Sequence, residues 1–305
     1  MSAAGTSTRS PISAVSAALV GTALVALFVT GSIFDWQISQ ALVNPDSLFA
    51  TLGAGYGAWP FCLGLEVAGL LLVLYANWER RSRAIVQVAV GGCVAAAGAA
   101  ITIVYPLTYL PWSPVLVVLT NTAVVLAVAW GTVILARGVE RRDAVSVAVV
   151  IIIVIVVELL VARVLKGIWE RPRAWVLLEQ PSLEFSPWWR LGSPEKAALI
   201  AGGVDRDGFR SFPSAHTANA MTLILLTALG TLKGQWNRAL PWLFWVGVLW
   251  TALVGLSRII AGAHFVTDVT AGCAVTFVTV LIVYWAVFQR GALAGPLDRW
   301  LRDGP

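Results

Sequence analysis

Only two histidines occur in the 305 residues, His216 and His264, and each stands in a short string of groups suited to handling phosphate. Ser257-Arg258 precedes His264, and Asp268 follows it by four residues, a spacing that sets both on one helix face. His216 closes the string Pro213-Ser214-Ala215-His216, while Lys166, Arg171 and Arg173 gather upstream. A phosphate ester needs its negative oxygens neutralised, a nucleophile in line and an acid for the leaving oxygen. Lys166, Arg171, Arg173 and Arg258 can supply the cations, with arginine favoured for bidentate phosphate contacts. A carboxylate beside an imidazole fixes its tautomer and supports its cation, which is the part open to Asp268 next to His264. His216 is left to protonate the leaving group.

These residues are spread over a hundred positions, so helices must bring them together. Hydrophobic residues make up 58% of the chain and Asp, Glu, Lys and Arg only 12%, with a mean hydropathy of +0.81. That composition excludes a soluble globular chain, which carries about 25% charge, and intrinsic disorder, which needs low hydrophobicity. Eight stretches reach the roughly 20 apolar residues that a membrane helix needs: 13–34, 59–76, 84–105, 113–136, 144–165, 214–231, 239–257 and 264–288. The first is longer than the apolar core of a signal peptide and lacks a clean small-residue cleavage site, so it reads as a span.

Charge then orients the spans. Arg9, the turns 77–83, 137–143 and 232–238, and Arg290, Arg299 and Arg302 carry the basic excess, whereas the connections 35–58 and 106–112 contain no Lys or Arg. By the positive-inside rule both termini and the Arg-rich turns are cytoplasmic. The net charge of +5 is thus a topology signal and gives nucleic acid no claim. The same parity places 166–213 and 258–263 outside. Lys166 then ends span five, His216 begins span six, Arg258 ends span seven, and His264 with Asp268 begins span eight, all at one membrane level. Spans six and eight also point their N-termini, with unsatisfied N–H groups, toward this level. Loop 166–213 is long enough to be functional, and Trp169, Trp175, Trp188 and Trp189 suit the membrane interface.

Other features read as structural. Cys62, Cys93 and Cys273 lie inside spans without metal-ligand spacing, and Gly91, Ala95 and Ala99 form a small-residue stripe for close helix packing. Glu66 and Glu158 are buried acids; Glu158 either pairs with Arg163 of the same span or Arg163 snorkels to the surface. A proton or ion pathway is the alternative use of these acids.

Ser257-Arg258-x5-His264-x3-Asp268 resembles the third signature of the type-2 phosphatidic acid phosphatase superfamily, the lipid phosphate phosphatases. Pro213-Ser214-Ala215-His216 resembles the second, with Ala215 in place of glycine. Lys166-x6-Arg173 resembles the first, with Ala174 in place of the following proline. The resemblance covers about residues 144–288. It implies His264 as the nucleophile forming a phosphohistidine, Asp268 orienting it, and His216 as general acid and then base. It further implies Lys166, Arg173, Ser214 and Arg258 as phosphate ligands, and no metal or other cofactor. Arg171 is a further candidate for the phosphate, against the simpler reading of a solvated loop charge.

The expected fold is all-α, a polytopic membrane bundle of about eight spans. Its parts are an N-terminal helix pair (1–83), a six-helix phosphatase core (84–290) and a cytoplasmic tail (291–305). The expected activity is hydrolysis of a membrane lipid phosphate or diphosphate at the extracytoplasmic face of the cell membrane. An Ala-, Arg- and Val-rich composition suggests a bacterium of high GC content, which favours undecaprenyl or decaprenyl diphosphate and links the reaction to cell-wall glycans. Phosphatidylglycerol phosphate and phosphatidic acid are rivals, and a lipid phosphotransferase would use the same residues. Vanadate-dependent haloperoxidases share the signatures but resemble soluble proteins. A transporter or flippase fits the helices and buried acids, yet leaves the clustered His, Lys and Arg without a reason.

Overall fold

The computed structural model describes residues 10–293 and 295, and every regular element among them is helical. Arg9, and Arg299 and Arg302 of the expected tail, lie outside the described residues. Among the described residues seven helices are long and apolar enough to cross a membrane, which fits a multi-pass membrane protein.

Local sequence sets the element boundaries. Helix α1 (Ala14–Leu42) starts where the Ser13 hydroxyl accepts the Ser16 N–H at 3.1 Å. It runs on past the expected end of its span. The connection that follows contains a short helix, α2 (Leu48–Tyr56), capped by Ser47. Proline lies in the first turn of α3 (Trp59–Leu74) and of α5 (Pro114–Ala136), where its missing N–H costs nothing. Between them, α4 (Arg81–Val104) packs on α3 through glycines. A Cβ at Gly69 would meet Ala95 N and Gly91 O at 2.4 Å, and one at Gly98 would meet Cys62 O at 2.4 Å. The small-residue stripe therefore runs Gly91–Ala95–Gly98; Ala99, expected on it, sits one position off the contact.

Helix α6 (Arg141–Trp169) buries eleven of its 29 residues. Its Val147, Ile151, Val154 and Ile155 share one apolar cluster with Met221, Ile224, Phe277 and Val280. It ends at Glu170, whose φ of 44° is left-handed and turns the chain into Arg171-Pro172-Arg173. The long loop beyond is folded and carries two single-turn helices, α7 (Ala174–Glu179) and α8 (Lys196–Ala201).

The expected span 214–231 is helical but not one helix, and so is absent from the seven. It consists of α9 (Ala215–Met221), a 3-10 turn (Thr222–Leu225) and α10 (Leu226–Thr231). Thr222, Thr227 and Thr231 each donate a side-chain hydrogen bond to the carbonyl three residues back, at 2.6, 2.7 and 2.6 Å. Such back-bonding competes with the regular ladder and tightens the helix. The remaining two helices are α11 (Leu240–Ile260) and α12 (Val266–Tyr284), the latter continued by a π turn to Gln289. Glu158 is buried, and the Asn219 amide, in the orientation that satisfies both groups, donates to its two oxygens at 3.2 and 3.3 Å. Arg163 is exposed, so of the two alternatives for this span the intrahelical pairing gives way to a solvent- or lipid-facing arginine.

Candidate active site

At one end of the bundle, the connection between α11 and α12 presents His264, buried to 1% exposure. Its Nδ1 lies 2.7 Å from the carbonyl oxygen of Ser211. A carbonyl can only accept, so Nδ1 carries the hydrogen and Nε2 keeps its lone pair. The neutral ring is the stable form: burial pushes the imidazole down to about 3, the Arg173 and Lys166 charges act the same way, and Asp268 opposes them.

Asp268, in the first turn of α12, stands 3.9 Å from the same Nδ1. That is beyond hydrogen-bond reach but close enough to act on a cation. Its carboxylate holds the surrounding backbone together. Oδ2 accepts from the Ser211 hydroxyl at 2.5 Å and from Phe265 N–H at 2.8 Å, and Oδ1 accepts from Arg171 at 2.6 Å. The Asp268 carbonyl receives the Ser214 N–H at 2.9 Å. One residue thus ties the His264 connection to the segment that leads into α9. Gly272, one turn along α12, makes this approach possible, since a Cβ there would lie 2.2 Å from Ser214 O.

The second histidine projects from the start of α9, and its ring centroid is 6.5 Å from that of His264. His216 Nε2 is 3.1 Å from the Tyr105 hydroxyl, and the Tyr109 ring meets the imidazole edge-on. Neither tyrosine carries a motif, although both stand at the outer end of the third predicted span. The Ser214 hydroxyl accepts the Thr217 N–H at 3.4 Å as the cap of α9.

The cationic residues have distinct surroundings. Lys166, in the last turn of α6, donates to the Arg210 carbonyl at 2.5 Å. Arg173 is held by Asp207, with Nη2 to Oδ2 at 2.6 Å and Nε to the backbone oxygen at 2.8 Å. Asp207 is 58% exposed at its side chain, so this is a partner in water that an incoming dianion can displace. Arg258, at the end of α11, donates to the Ala50 carbonyl of α2 and to Ser257 Oγ.

Arg171, expected either at the phosphate or as a solvated loop charge, is not solvated. It is fully buried between the Phe185 and Phe265 rings, 5.4 and 4.2 Å from its guanidinium carbon. Its donors go to Ser186 O, Thr267 Oγ1, Asp268 and, at 3.1 Å, to Asp35 of α1. Both flanking faces are covered and four of its five N–H donors are engaged within the protein. Asp35 itself was not singled out by sequence. Its only signal is an acid just past the first apolar stretch, where ionisable residues are uncommon. Among the described residues, no three His, Cys, Asp or Glu side chains gather as a metal site.

Compared with known proteins, residues 143–292 match the model of the PAP2 superfamily. That stretch takes in α6 to α12 and with them both histidines, Asp268 and all the cationic residues above. No curated protein and no solved structure matches the chain.

Proposed function

The chain belongs, over residues 143–292, to the PAP2 superfamily, and on that premise we propose that it hydrolyses a lipid phosphate or diphosphate through a phosphohistidine on His264. The observation that carries this reading is the His264–Ser211 contact, which leaves the Nε2 lone pair free on a ring whose centroid is 6.5 Å from that of His216. In the first step Nε2 attacks phosphorus, and the bond to the leaving oxygen breaks as His216 donates a proton to that oxygen. The ring becomes cationic, with Nδ1–H still on the Ser211 carbonyl and Asp268 nearby to stabilise the charge. In the second step His216 takes a proton from water, which attacks the phosphohistidine. Inorganic phosphate leaves and His264 returns to its neutral form. Lys166, Arg173, Ser214 and Arg258 hold the phosphoryl oxygens, with no metal or other cofactor.

The substrate is a membrane lipid that enters sideways from the bilayer, best matched by undecaprenyl or decaprenyl diphosphate of a bacterial cell-wall cycle. The charge pattern supports a cell-membrane protein with both termini in the cytoplasm and the site on the extracytoplasmic side. An N-terminal pair before residue 84, a core over 84–290 and a tail from 291 remain our division of the chain.

The test is phosphate release in EDTA by purified protein from polyprenyl diphosphate, phosphatidylglycerol phosphate and phosphatidate, each with and without an acceptor lipid. Release that disappears in His264→Ala supports the reading. Undiminished release by that variant refutes it, and transfer to the acceptor in place of release identifies a phosphotransferase.

A further inference from the structure

Helix α1 lies outside the family match, yet it touches the site. Only Val20, Gly31, Asp35 and Ser39 of its 29 residues are buried. Its apolar contacts include Phe28 on Trp188 and Trp36 on Phe185, and the acid among the four is placed at the start of α12. Asp35 Oδ1 accepts the Thr267 N–H at 3.0 Å, and Oδ2 accepts the Thr267 hydroxyl and, at 3.1 Å, Arg171 Nη2. Thr267 is the second residue of α12, whose cap position is Phe265, a side chain with no acceptor. Its N–H would be an orphan of the helix terminus, and Asp35 satisfies it from another helix. Gly31, one turn earlier, permits the approach, because a Cβ there would lie 2.9 Å from Thr267 N.

We propose that Asp35 is a positioning residue for catalysis: by capping α12 from α1 and gripping Arg171, it holds Asp268 and the His264 connection in place. The inference rests on His264 acting as the nucleophile. Arg171 sits between two carboxylates, Asp35 and Asp268, so the cluster has one negative charge more than positive. That surplus stands where the imidazole turns cationic during phosphoryl transfer. Removing the Asp35 charge leaves Arg171 paired with Asp268 alone, and the guanidinium then draws Asp268 away from supporting His264. The phosphate ligands Lys166, Arg173 and Arg258 make no contact with Asp35, so substrate affinity is spared.

The experiment compares the full-length wild type, His264→Ala, Asp35→Asn and Gly31→Ala in detergent. Turnover of phosphatidate and undecaprenyl diphosphate is measured beside amide exchange of the segment 261–272 and thermal melting. Asp35→Asn is expected to lower kcat about 10- to 100-fold with KM within about twofold, and to raise exchange at the start of α12. Gly31→Ala, which keeps the charge but forces the helices apart, is expected to lower kcat in the same way. Wild-type kcat in Asp35→Asn while His264 is essential overturns the positioning role alone. So does a kcat loss that only tracks a smaller folded fraction, with exchange raised evenly in all helices. Turnover that survives His264→Ala removes the phosphatase reading, and this inference with it.

Discussion

His264 Nδ1 is 2.7 Å from the Ser211 carbonyl, whereas the nearest Asp268 oxygen is 3.9 Å away. The backbone therefore sets the tautomer, and the carboxylate sets the electrostatics and the position of the backbone. This division assigns different consequences to changes in the two residues. Removing the imidazole removes the proposed nucleophile. Altering Asp268 disturbs Ser211, Phe265 and Arg171 together.

His264→Gln is expected to lower kcat by about 10^4 or more, as loss of a nucleophile does elsewhere. Rapid quenching of the wild type with a phosphorus-labelled lipid should trap an enzyme-bound phosphate that survives alkali and is lost in acid, the stability of a phosphohistidine. The variant should trap none.

His216→Ala is expected to lose about 10^2- to 10^4-fold with a lipid alkoxide or a lipid phosphate as leaving group, the range of a general acid. With p-nitrophenyl phosphate, whose phenolate needs no proton to depart, the first step should lose much less. Equal losses on both kinds of substrate would remove the leaving-group role.

The pH dependence of stability carries the mark of His264. Its folded value lies near 3 and its unfolded value near the ordinary 6.5, so between them the unfolded chain binds more protons. Stability from keeping this ring neutral is complete above about pH 6.5 and is lost as pH falls toward 3. Melting temperatures of the wild type should fall more steeply over that window than those of His264→Gln.

Arg171 and Arg173 should separate cleanly. Arg171→Lys cannot reproduce four donors in a fixed fork and leaves a buried cluster broken, a loss of about 3–5 kcal/mol. Poor accumulation or a large drop in melting temperature is expected. Arg173→Lys, at a partly exposed pair with Asp207, should fold normally and raise KM. A folded Arg171→Lys with a KM effect alone would return that residue to the phosphate site.

Gly272→Ala tests the seam between the two histidine segments. The added methyl would meet Ser214 O at 2.2 Å and Thr217 Oγ1 at 2.5 Å, and backbone on both sides leaves little room to relax. Overpacking of this kind costs about 1–3 kcal/mol, and the shift of His216 relative to His264 should lower kcat. A fully active, equally stable variant would show that the seam tolerates displacement.

The sequence by itself determined the class of fold, because a bilayer demands about 20 apolar residues per span and hydropathy records that demand directly. It also determined which side chains meet. His216, His264, Lys166, Arg173 and Arg258 stand at the ends of the expected spans, and alternation of the chain across a membrane would put those ends on one level. What alternation does not encode is lateral packing between helices far apart in sequence. Asp35 reaches Arg171 across 136 residues and Thr267 across 232, so no local spacing announces either contact. Arg171, two residues from Arg173, reads from sequence as a second phosphate candidate, and only burial separates the two. The break in 214–231 was hidden for a related reason, since threonines back-bond in place without altering hydropathy. Only the tertiary structure decided that an arginine inside the signature region is buried between two carboxylates, and that one of the two comes from outside the region. A buried charge must be paired where it stands, and the partner is whichever helix the packing brings there.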